Sequence, residues 1–147
     1  MSDLVTRCAE PDDVDGVLSF WRKAAEGVGI SDDRAGMDIL LARDPEALLL
    51  AERDGVLVGT VIAGFDGWRC SLYRLAVHPD FRRRGVATAL LAAAERRFAE
   101  LGGRRADAMV LEADERAQHA WGAAGYGRED HWRRWVKRLT GDAGSSH

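Results

Sequence analysis

The sequence predicts a single α/β domain, in which short strands and helices follow one another along the chain. Apolar residues recur at a spacing of about two residues in some segments and about 3.6 residues in others. Of the 147 residues, 46% are hydrophobic, which is enough for a core that needs neither disulfides nor metals. We therefore expect one domain over residues 1–140 and a flexible polar tail over residues 141–147.

The first third of the chain predicts one strand followed by two helices. Residues 4–9 favour a short strand, and the acidic segment 10–13 with its proline is typical of a helix start. Segment 31–33, Ser-Asp-Asp, can cap a second helix that ends near Asp44. The first helix carries apolar residues at helical spacing before two glycines interrupt the pattern: Val14, Val17, Leu18 and Trp21, then Gly27 and Gly29.

The middle of the chain predicts a β-hairpin and a third strand. Residues 47–53 and 56–65 are rich in strand-forming side chains, and the Asp-Gly pair between them is a strong hairpin signal. A second Asp-Gly turn at Asp66 leads into residues 68–77, which we expect to lie centrally in the sheet. His78 and the proline after it end that strand.

The last third predicts a long helix followed by three shorter elements. Apolar residues recur at helical spacing in the alanine-rich segment from Gly85 to Leu101, and two glycines stop the pattern. The shorter elements are a strand over residues 106–111, a helix from Asp114 or Glu115 to Ala124, and a closing strand over residues 132–139.

The turn between residues 75 and 91 carries the clearest functional signal. An apolar strand leads through three arginines, residues 82–84, to Gly85 and a helix start with small or apolar side chains. Unobstructed backbone amides at such a helix start bind anions, and a phosphate-bearing ligand suits this one. A Walker-type loop is excluded because no Gly-Lys-Ser or Gly-Lys-Thr follows Gly85, and a dinucleotide fingerprint fails because its two partner glycines are missing.

The spacing Arg82-x-x-Gly85-x-Ala87 resembles the acyl-CoA pyrophosphate loop of the GNAT superfamily of N-acetyltransferases, Q/R-x-x-G-x-G/A. The predicted order of strands and helices is also similar to that of the superfamily. Segment 59–69 together with residues 75–79 looks closest to the bacterial YpeA-type branch.

A second segment also resembles a signature of this superfamily. Asp114-x-x-Ala117-x-x-x-Trp121-x-x-x-Gly125-Tyr126 is similar to N-x-x-A-x-x-x-Y-x-x-x-G-F. Two signatures at the right places in the chain are more specific than either alone. In this chain Asp114 replaces asparagine, Trp121 replaces tyrosine and Tyr126 replaces phenylalanine.

The resemblance implies an α+β fold with a mixed, mostly antiparallel twisted sheet of about six to seven strands and about four flanking helices. It implies an acetyl-CoA-dependent N-acetyltransferase (EC 2.3.1.-) in which an amine attacks the thioester directly. A backbone N–H of strand residues 75–77, at a bulge, would meet the oxyanion, and amides 83–88 would bind the pyrophosphate. The residues implied in acetyl-CoA binding are Leu75, Ala76, Val77, Arg82, Arg83, Arg84, Gly85, Val86, Ala87, Thr88, Asp114, Ala117 and Trp121.

The proton chemistry has no assigned residues in this sequence. Many relatives use a tyrosine to protonate the departing thiolate, and the indole of Trp121 cannot do so at neutral pH. Candidate acids are Tyr73 and Tyr126, although Tyr126 also suits a core aromatic with a wet hydroxyl. Candidate bases are Asp66 and Glu112, which equally suit a turn former and a capping or pairing residue.

Two alternatives follow from the missing tyrosine. The thiolate can leave directly to water, because a thiol with a pKa near 8.5 departs tolerably without a dedicated acid. Alternatively, the chain is a sensor or regulatory protein of the same fold, which binds acyl-CoA and does not catalyse acyl transfer.

Charge is unevenly divided along the chain, which has a net charge of −3. Residues 1–66 carry 14 acidic and 6 basic side chains, whereas residues 67–147 carry 10 acidic and 15 basic ones. A basic half could hold a polyanionic cofactor, although ordinary solvated surface also explains most of these charges. Nucleic-acid binding is not expected, because the chain is acidic and has no helix-turn-helix or RNA-recognition signature.

The acceptor is expected to be an amine on a small molecule, a peptide or a protein. Glu26, Asp32 and Asp33 hint at a cationic acceptor, although helix capping explains the two aspartates equally well. Trp132 and Trp135 on the closing strand could line a homodimer interface or the acceptor pocket. Alternation would place these two tryptophans on opposite faces of a regular strand.

Neither a metal nor a membrane is expected. Cys8 and Cys70 match no metal-binding or redox spacing, and we predict that both are small buried thiols. His78 precedes a proline and His119 occupies an exposed helix position, so neither suits metal ligation. The chain has no signal-peptide run and no apolar stretch of roughly 20 residues, so we expect a cytoplasmic protein.

Overall fold

A computed structural model describes residues 3–24 and 32–140. The expected tail at 141–147, the glycines at 27 and 29, and Glu26 lie outside the described residues. The strands are β1 (Leu4–Cys8), β2 (Leu48–Arg53), β3 (Val56–Phe65), β4 (Cys70–Val77) and β5 (Ala106–Ala108), and the helices are α1 (Val14–Ala24), α2 (Arg34–Arg43), α3 (Val86–Glu100) and α4 (Glu115–Ala123).

The five strands form one sheet in the order β1-β2-β3-β4-β5. All neighbours are antiparallel except β4 and β5, which are parallel. This confirms the predicted class, a mixed and mostly antiparallel sheet with helices packed against it. In the residues that the structure describes, the sheet has five strands rather than six to seven.

The predicted closing strand over residues 132–139 is wrong. The segment has no regular secondary structure, and Trp135 and Leu139 are 93% and 88% exposed. A strand is stabilised by burying one face against a core, and the apolar side chains of this segment remain uncovered. Trp132 is also exposed, and it and Trp135 do not lie on opposite faces of a strand.

Strand β5 is shorter than predicted, because it ends at Ala108 rather than at residue 111. Met109 and Leu111 are 63% and 58% exposed, so the apolar run continues past the region that the sheet covers. The hydrophobic pattern overestimated this strand because it registers side-chain type and not whether the neighbouring strand stays paired, and β4 pairs with β5 only over residues 70–72.

The prediction of two buried thiols holds for one cysteine only. Cys70, on interior strand β4, is buried, whereas Cys8 is exposed. Among the described strands, β1 lies at the edge of the sheet and has β2 as its single neighbour, so less of its surface is covered.

Helices cover both faces of the sheet. Helices α1 and α2 pack on one face with β2 residues Leu48 and Leu50. Helices α3 and α4 pack on the other face with β3 residues Val58 and Val61. We call these the α1/α2 face and the α3/α4 face.

A glycine on β3 brings α3 close to the sheet. A Cβ atom added at Gly59 would lie 2.5 Å from Val86 Cγ1 and 2.9 Å from Leu90 Cδ1. Real Cβ atoms do not approach other atoms this closely. The first turns of α3 can therefore pack at this distance from β3 only because residue 59 is a glycine. The packing at Gly59 therefore sets where the N-terminus of α3 lies.

The predicted β2–β3 hairpin is confirmed. Asp54 and Gly55 have φ angles of 54° and 75°, both in the left-handed region. Positive φ at both central residues is typical of the type I′ turn that an Asp-Gly pair favours.

Candidate active site

The N-terminus of α3 is open to a ligand. Gly85 is the residue before the helix, and it has a left-handed φ of 81° and no capping side-chain hydrogen bond. The first backbone amides of the helix, from Val86 onward, have no intrahelical acceptor. A Cβ added at Gly85 would meet no atom within 4 Å, so the glycine serves the backbone conformation and leaves open space at the helix start.

Three arginines precede this helix start. Among residues 3–24 and 32–140, no carboxylate pairs with the guanidinium groups of Arg82, Arg83 or Arg84. Arg83 has a φ of 63°, and the Arg84 guanidinium lies 5.7 Å from the centre of the Phe81 ring. Cationic side chains beside uncapped amides suit a phosphate-bearing ligand, which agrees with the sequence-based expectation.

Strand β4 separates from β5 on its way to this loop. β5 pairs only with β4 residues 70–72, whereas the pairing of β4 with β3 continues to Val77. A β-bulge interrupts the β3–β4 ladder, because Thr60 faces Ala76 whereas Ile62 faces Tyr73. Between these two pairs β4 has two residues, 74 and 75, where β3 has one. Arg74, the first of the two, has a φ of 54°. The expected bulge and the separation of β4 from its neighbour are therefore both present.

Helix α4 belongs to the same apolar cluster as α3. The Asp114 side chain caps α4 by accepting a hydrogen bond from the Ala117 amide at 2.9 Å. Ala117 and Trp121 lie in the same apolar cluster as Val86. The second predicted signature therefore lies in the apolar cluster that also contains the first residue of α3.

The two candidate tyrosines have different surroundings. The Tyr126 hydroxyl donates to a Glu95 carboxylate oxygen at 2.8 Å, and its ring meets Trp121 edge-on at 5.0 Å between centroids. Burial and the Glu95 carboxylate raise the pKa of Tyr126 above its usual value. Tyr73 is half exposed and lies next to Arg74 of the bulge.

The two candidate bases are engaged elsewhere. The Asp66 carboxylate accepts hydrogen bonds from the amides of Arg69 at 2.7 Å and Trp68 at 2.8 Å. These backbone hydrogen bonds lower the pKa of Asp66, which supports the turn-forming interpretation. Glu112 pairs with Arg128 at 3.0 Å on the surface.

A cavity of about 260 Å³ lies between the end of α2 and the β3–β4 turn. It brings Asp66 and Tyr73 together on the α1/α2 face, with Leu40 and Arg43 from α2. Glu112 and Tyr126 do not line it.

The acidic residues that hinted at a cationic acceptor have internal partners. Asp33 caps α2 by accepting from the Gly36 amide at 2.8 Å. Asp32 forms an ion pair with Arg74 of the bulge, and both side chains are mostly buried. These two aspartates therefore give no support to a cationic acceptor.

Two residues next to the bulge were not singled out from the sequence. The Thr60 hydroxyl bridges the Trp21 indole and the Arg74 carbonyl, and Arg74 holds Asp32. The available signal was a polar side chain within an apolar run, Val-Gly-Thr-Val-Ile for Thr60 and Leu-Tyr-Arg-Leu for Arg74.

Within the described residues, no group of three or more His, Cys, Asp or Glu side chains is arranged to hold a metal ion. No helix in that part of the chain has the length and apolar content needed to cross a membrane.

Comparison with known proteins gives a consistent result. The model of the acetyltransferase (GNAT) family matches residues 16–126. An acetyltransferase of Pectobacterium atrosepticum is 37% identical over 106 residues, which cover 72% of this chain and 75% of that protein.

Solved structures share the fold. Aminoglycoside N-acetyltransferase AAC(6')-Iy in complex with CoA has a TM-score of 0.75 at 22% identity, covering 95% of this chain and 97% of that one. Ard1 from Thermoplasma volcanium has a TM-score of 0.74 at 20% identity, covering 83% and 81%.

Proposed function

The chain belongs to the acetyltransferase (GNAT) family, and we propose that it transfers an acetyl group from acetyl-CoA to the amine of an acceptor by direct attack. One observation carries the proposal. The uncapped start of α3, with Gly85 at a φ of 81°, is joined by a loop over residues 78–85 to the strand that separates from β5. A phosphate-binding helix start and an open strand edge next to each other suit a donor with a long phosphorylated tail.

The residues that would hold acetyl-CoA fit its chemistry. Amides 83–88 would bind the pyrophosphate, and the three arginines at 82–84 would add charge-assisted contacts. Strand residues 75–77 would lie beside the acetyl thioester of the cofactor, in the part of β4 that is not paired with β5. Asp114 would cap α4, and Ala117 and Trp121 would hold α4 in the apolar cluster that also contains Val86 of α3.

Acetyl-CoA supplies the acetyl group and a thiolate leaving group. In the overall reaction a C–N bond forms and the C–S bond breaks, and the amine loses one proton. A backbone amide of β4 would stabilise the negative charge that develops on the carbonyl oxygen.

Among the four candidates for proton transfer, Tyr73 has the best position. Tyr73 lies beside the bulge, and its half-exposed side chain lines the cavity on the α1/α2 face. Tyr126 already donates to Glu95, and Glu112 lies on the surface with Arg128. We propose that Asp66 acts as a turn former and that the amine proton leaves through water.

The reaction is proposed for one domain over residues 1–140 in the cytoplasm, with an amine on a small molecule, peptide or protein as acceptor. The exposed Trp132 and Trp135 offer a surface for a homodimer.

An acyl-CoA sensor of the same fold is the second candidate. It is favoured by Trp121, which is buried against Tyr126 at the position where relatives carry the acidic tyrosine. Under this alternative acetyl-CoA binds and no acceptor is acetylated.

Thiol release from acetyl-CoA separates the two functions. We expect release that depends on an added amine, tested with polyamines, amino acids, aminoglycosides and peptide N-termini. Tight binding of acetyl-CoA without release by any acceptor class would favour the sensor. Trp121→Tyr adds a second readout, because a variant that turns over where the natural chain does not would identify the missing acid as the cause.

A further inference from the structure

Thr60 occupies an unusual position for a polar side chain. In the described part of the chain, it is the one buried polar or charged residue, with no exposed surface. Its hydroxyl lies 2.8 Å from Trp21 Nε1 and 2.9 Å from the Arg74 carbonyl oxygen. Helix α1, strand β3 and the β4 bulge therefore meet at this one hydroxyl.

The direction of the two hydrogen bonds follows from the chemistry of the groups. An indole N–H only donates, so the Thr60 oxygen accepts from Trp21. A carbonyl oxygen only accepts, so the single hydroxyl hydrogen of Thr60 goes to Arg74. The chain of donors runs from Trp21 through Thr60 to the peptide that joins Arg74 to Leu75.

That peptide group has a second polar end. The described residues contain no cis peptide bond, so the Arg74 carbonyl and the Leu75 N–H point in opposite directions from one plane. Anchoring the carbonyl on the β3 side therefore aims the Leu75 N–H away from β3.

The strand ladder agrees with this orientation. The His78 amide donates to the Val58 carbonyl of β3 at 2.8 Å. Because amides alternate in direction along a regular strand, Ala76 also points toward β3, whereas Val77 points toward the side where β5 would continue. Leu75 lies inside the bulge, and the direction of its amide follows from the anchored Arg74 carbonyl. β5 pairs only as far as Leu72, so the Leu75 amide faces the gap between the two strands.

We propose that Thr60 and Trp21 are positioning residues that aim and polarise the Leu75 N–H as the oxyanion donor. This inference rests on the proposed acetyl transfer. A hydrogen bond to the carbonyl of a peptide strengthens the donor at its other end, and a fixed peptide plane needs no reorganisation during reaction.

The backbone at this point needs such support. Arg74 has a φ of 54°, a conformation that costs an L-residue with a Cβ atom. The Arg74 side chain is anchored as well, by the ion pair with Asp32 and by the Trp21 ring 5.6 Å from its guanidinium. The Thr60 hydroxyl adds the contact that acts on the peptide itself.

A matched pair of variants tests the role of the hydroxyl. Thr60→Val keeps the shape of the side chain and removes the hydroxyl, whereas Thr60→Ser keeps the hydroxyl. The readouts are kcat, the affinity for CoA, and the infrared carbonyl band of ¹³C-acetyl-CoA bound without acceptor. We expect Thr60→Val to lower kcat by roughly 10-fold or more, short of the ~100-fold typical of losing an oxyanion donor outright.

The infrared band distinguishes positioning from a general structural role. In the natural chain and in Thr60→Ser, a hydrogen bond to the carbonyl should shift the band to lower frequency than in buffer. In Thr60→Val most of that shift should disappear, while CoA affinity changes by less than about threefold because the helix start holds CoA.

Trp21→Phe provides a second variant should Thr60→Val fail to fold. It leaves the Thr60 hydroxyl free to donate to Arg74 but removes its orienting partner, so a smaller loss of kcat and of band shift is expected. Unchanged kcat and an unchanged band in both variants would overturn the inference and leave the proposed function intact. Absence of acetyl-CoA binding by the natural chain would overturn both.

Discussion

The Tyr126 hydroxyl donates a hydrogen bond to the Glu95 carboxylate of α3, across 2.8 Å. The pKa of the Tyr126 hydroxyl is raised, because burial and the Glu95 carboxylate both disfavour its ionised form. It is therefore a poor proton source for a departing thiolate. The same contact ties the segment after α4 to the middle of α3.

Tyr126→Phe should leave catalysis intact. We expect kcat to change by less than about threefold, since general acid catalysis would be worth ~100-fold or more. Loss of the hydrogen bond should lower the free energy of unfolding by about 0.5–1 kcal/mol, because the contact is partly exposed. Urea unfolding and steady-state kinetics measure both effects, and a kcat loss near ~100-fold would make Tyr126 the acid after all.

Tyr73→Phe should act on the chemical step instead. Tyr73 lies beside the bulge and lines the cavity on the α1/α2 face, so we expect kcat to fall by ~100-fold or more. KM for acetyl-CoA should stay nearly constant, because the helix start is untouched. Kinetics equal to those of the natural chain would mean that the thiolate leaves to water.

Gly59→Ala should disturb both stability and cofactor binding. The added Cβ would collide with Val86 and Leu90, so α3 must shift, at a cost of about 1–3 kcal/mol in unfolding free energy. The shift moves the helix start, and CoA affinity should fall with it. Gly64→Ala on the same strand is the control, because its Cβ would make only ordinary contacts at 3.5 Å or more. Equal stability and CoA affinity in the two variants would refute this role of Gly59.

Local signals in the sequence predicted most of the fold. The Asp54-Gly55 turn, the α3 helix and the loop at Gly85 depend on residues close together in the chain, and each is present. The segment 132–139 has apolar residues at positions 132, 135, 136 and 139, which do not alternate as in a half-buried strand, and it forms no strand in the structure.

The conformation of the loop at Gly85, which we propose holds acetyl-CoA, was predictable for the same reason, whereas the contacts that support the bulge were not. Trp21, Thr60 and Arg74 come from three elements that meet only in the folded chain. The Glu95 partner of Tyr126 likewise lies 31 residues away. Contacts across such distances depend on how the helices pack on the sheet, which local patterns do not encode.

Stability should fall in acid through the Arg7–Asp13 ion pair. Arg7 contacts Asp13 at 2.8 Å and holds the pKa of its carboxyl down to about 2, below the usual 3.8. This contribution is complete above pH 3.8 and is lost as the pH falls toward 2. We expect it to be about 1 kcal/mol, because water partly screens the pair.

Asp13→Asn is the matched variant, because an amide oxygen can still accept the Glu10 backbone N–H. The variant should be less stable at neutral pH and should lose less stability between pH 4 and pH 2, a window of roughly two units set by the lowered pKa. Urea unfolding at several pH values measures this, and parallel curves for the two proteins would contradict it.

The most direct test is calorimetric titration of CoA into two glycine variants of α3. Gly85 and Gly102 lie at opposite ends of the helix, with φ angles of 81° and 89°, and a Cβ at either would meet no atom within 4 Å. Gly85→Glu and Gly102→Glu therefore add the same charge and comparable backbone strain, about 1–2 kcal/mol each. We predict that Gly102→Glu binds CoA like the natural chain and that Gly85→Glu binds at least ~100-fold more weakly, because its carboxylate occupies the pyrophosphate position. Natural affinity in Gly85→Glu, or an equal loss in both variants, would contradict the placement of the cofactor at this helix start.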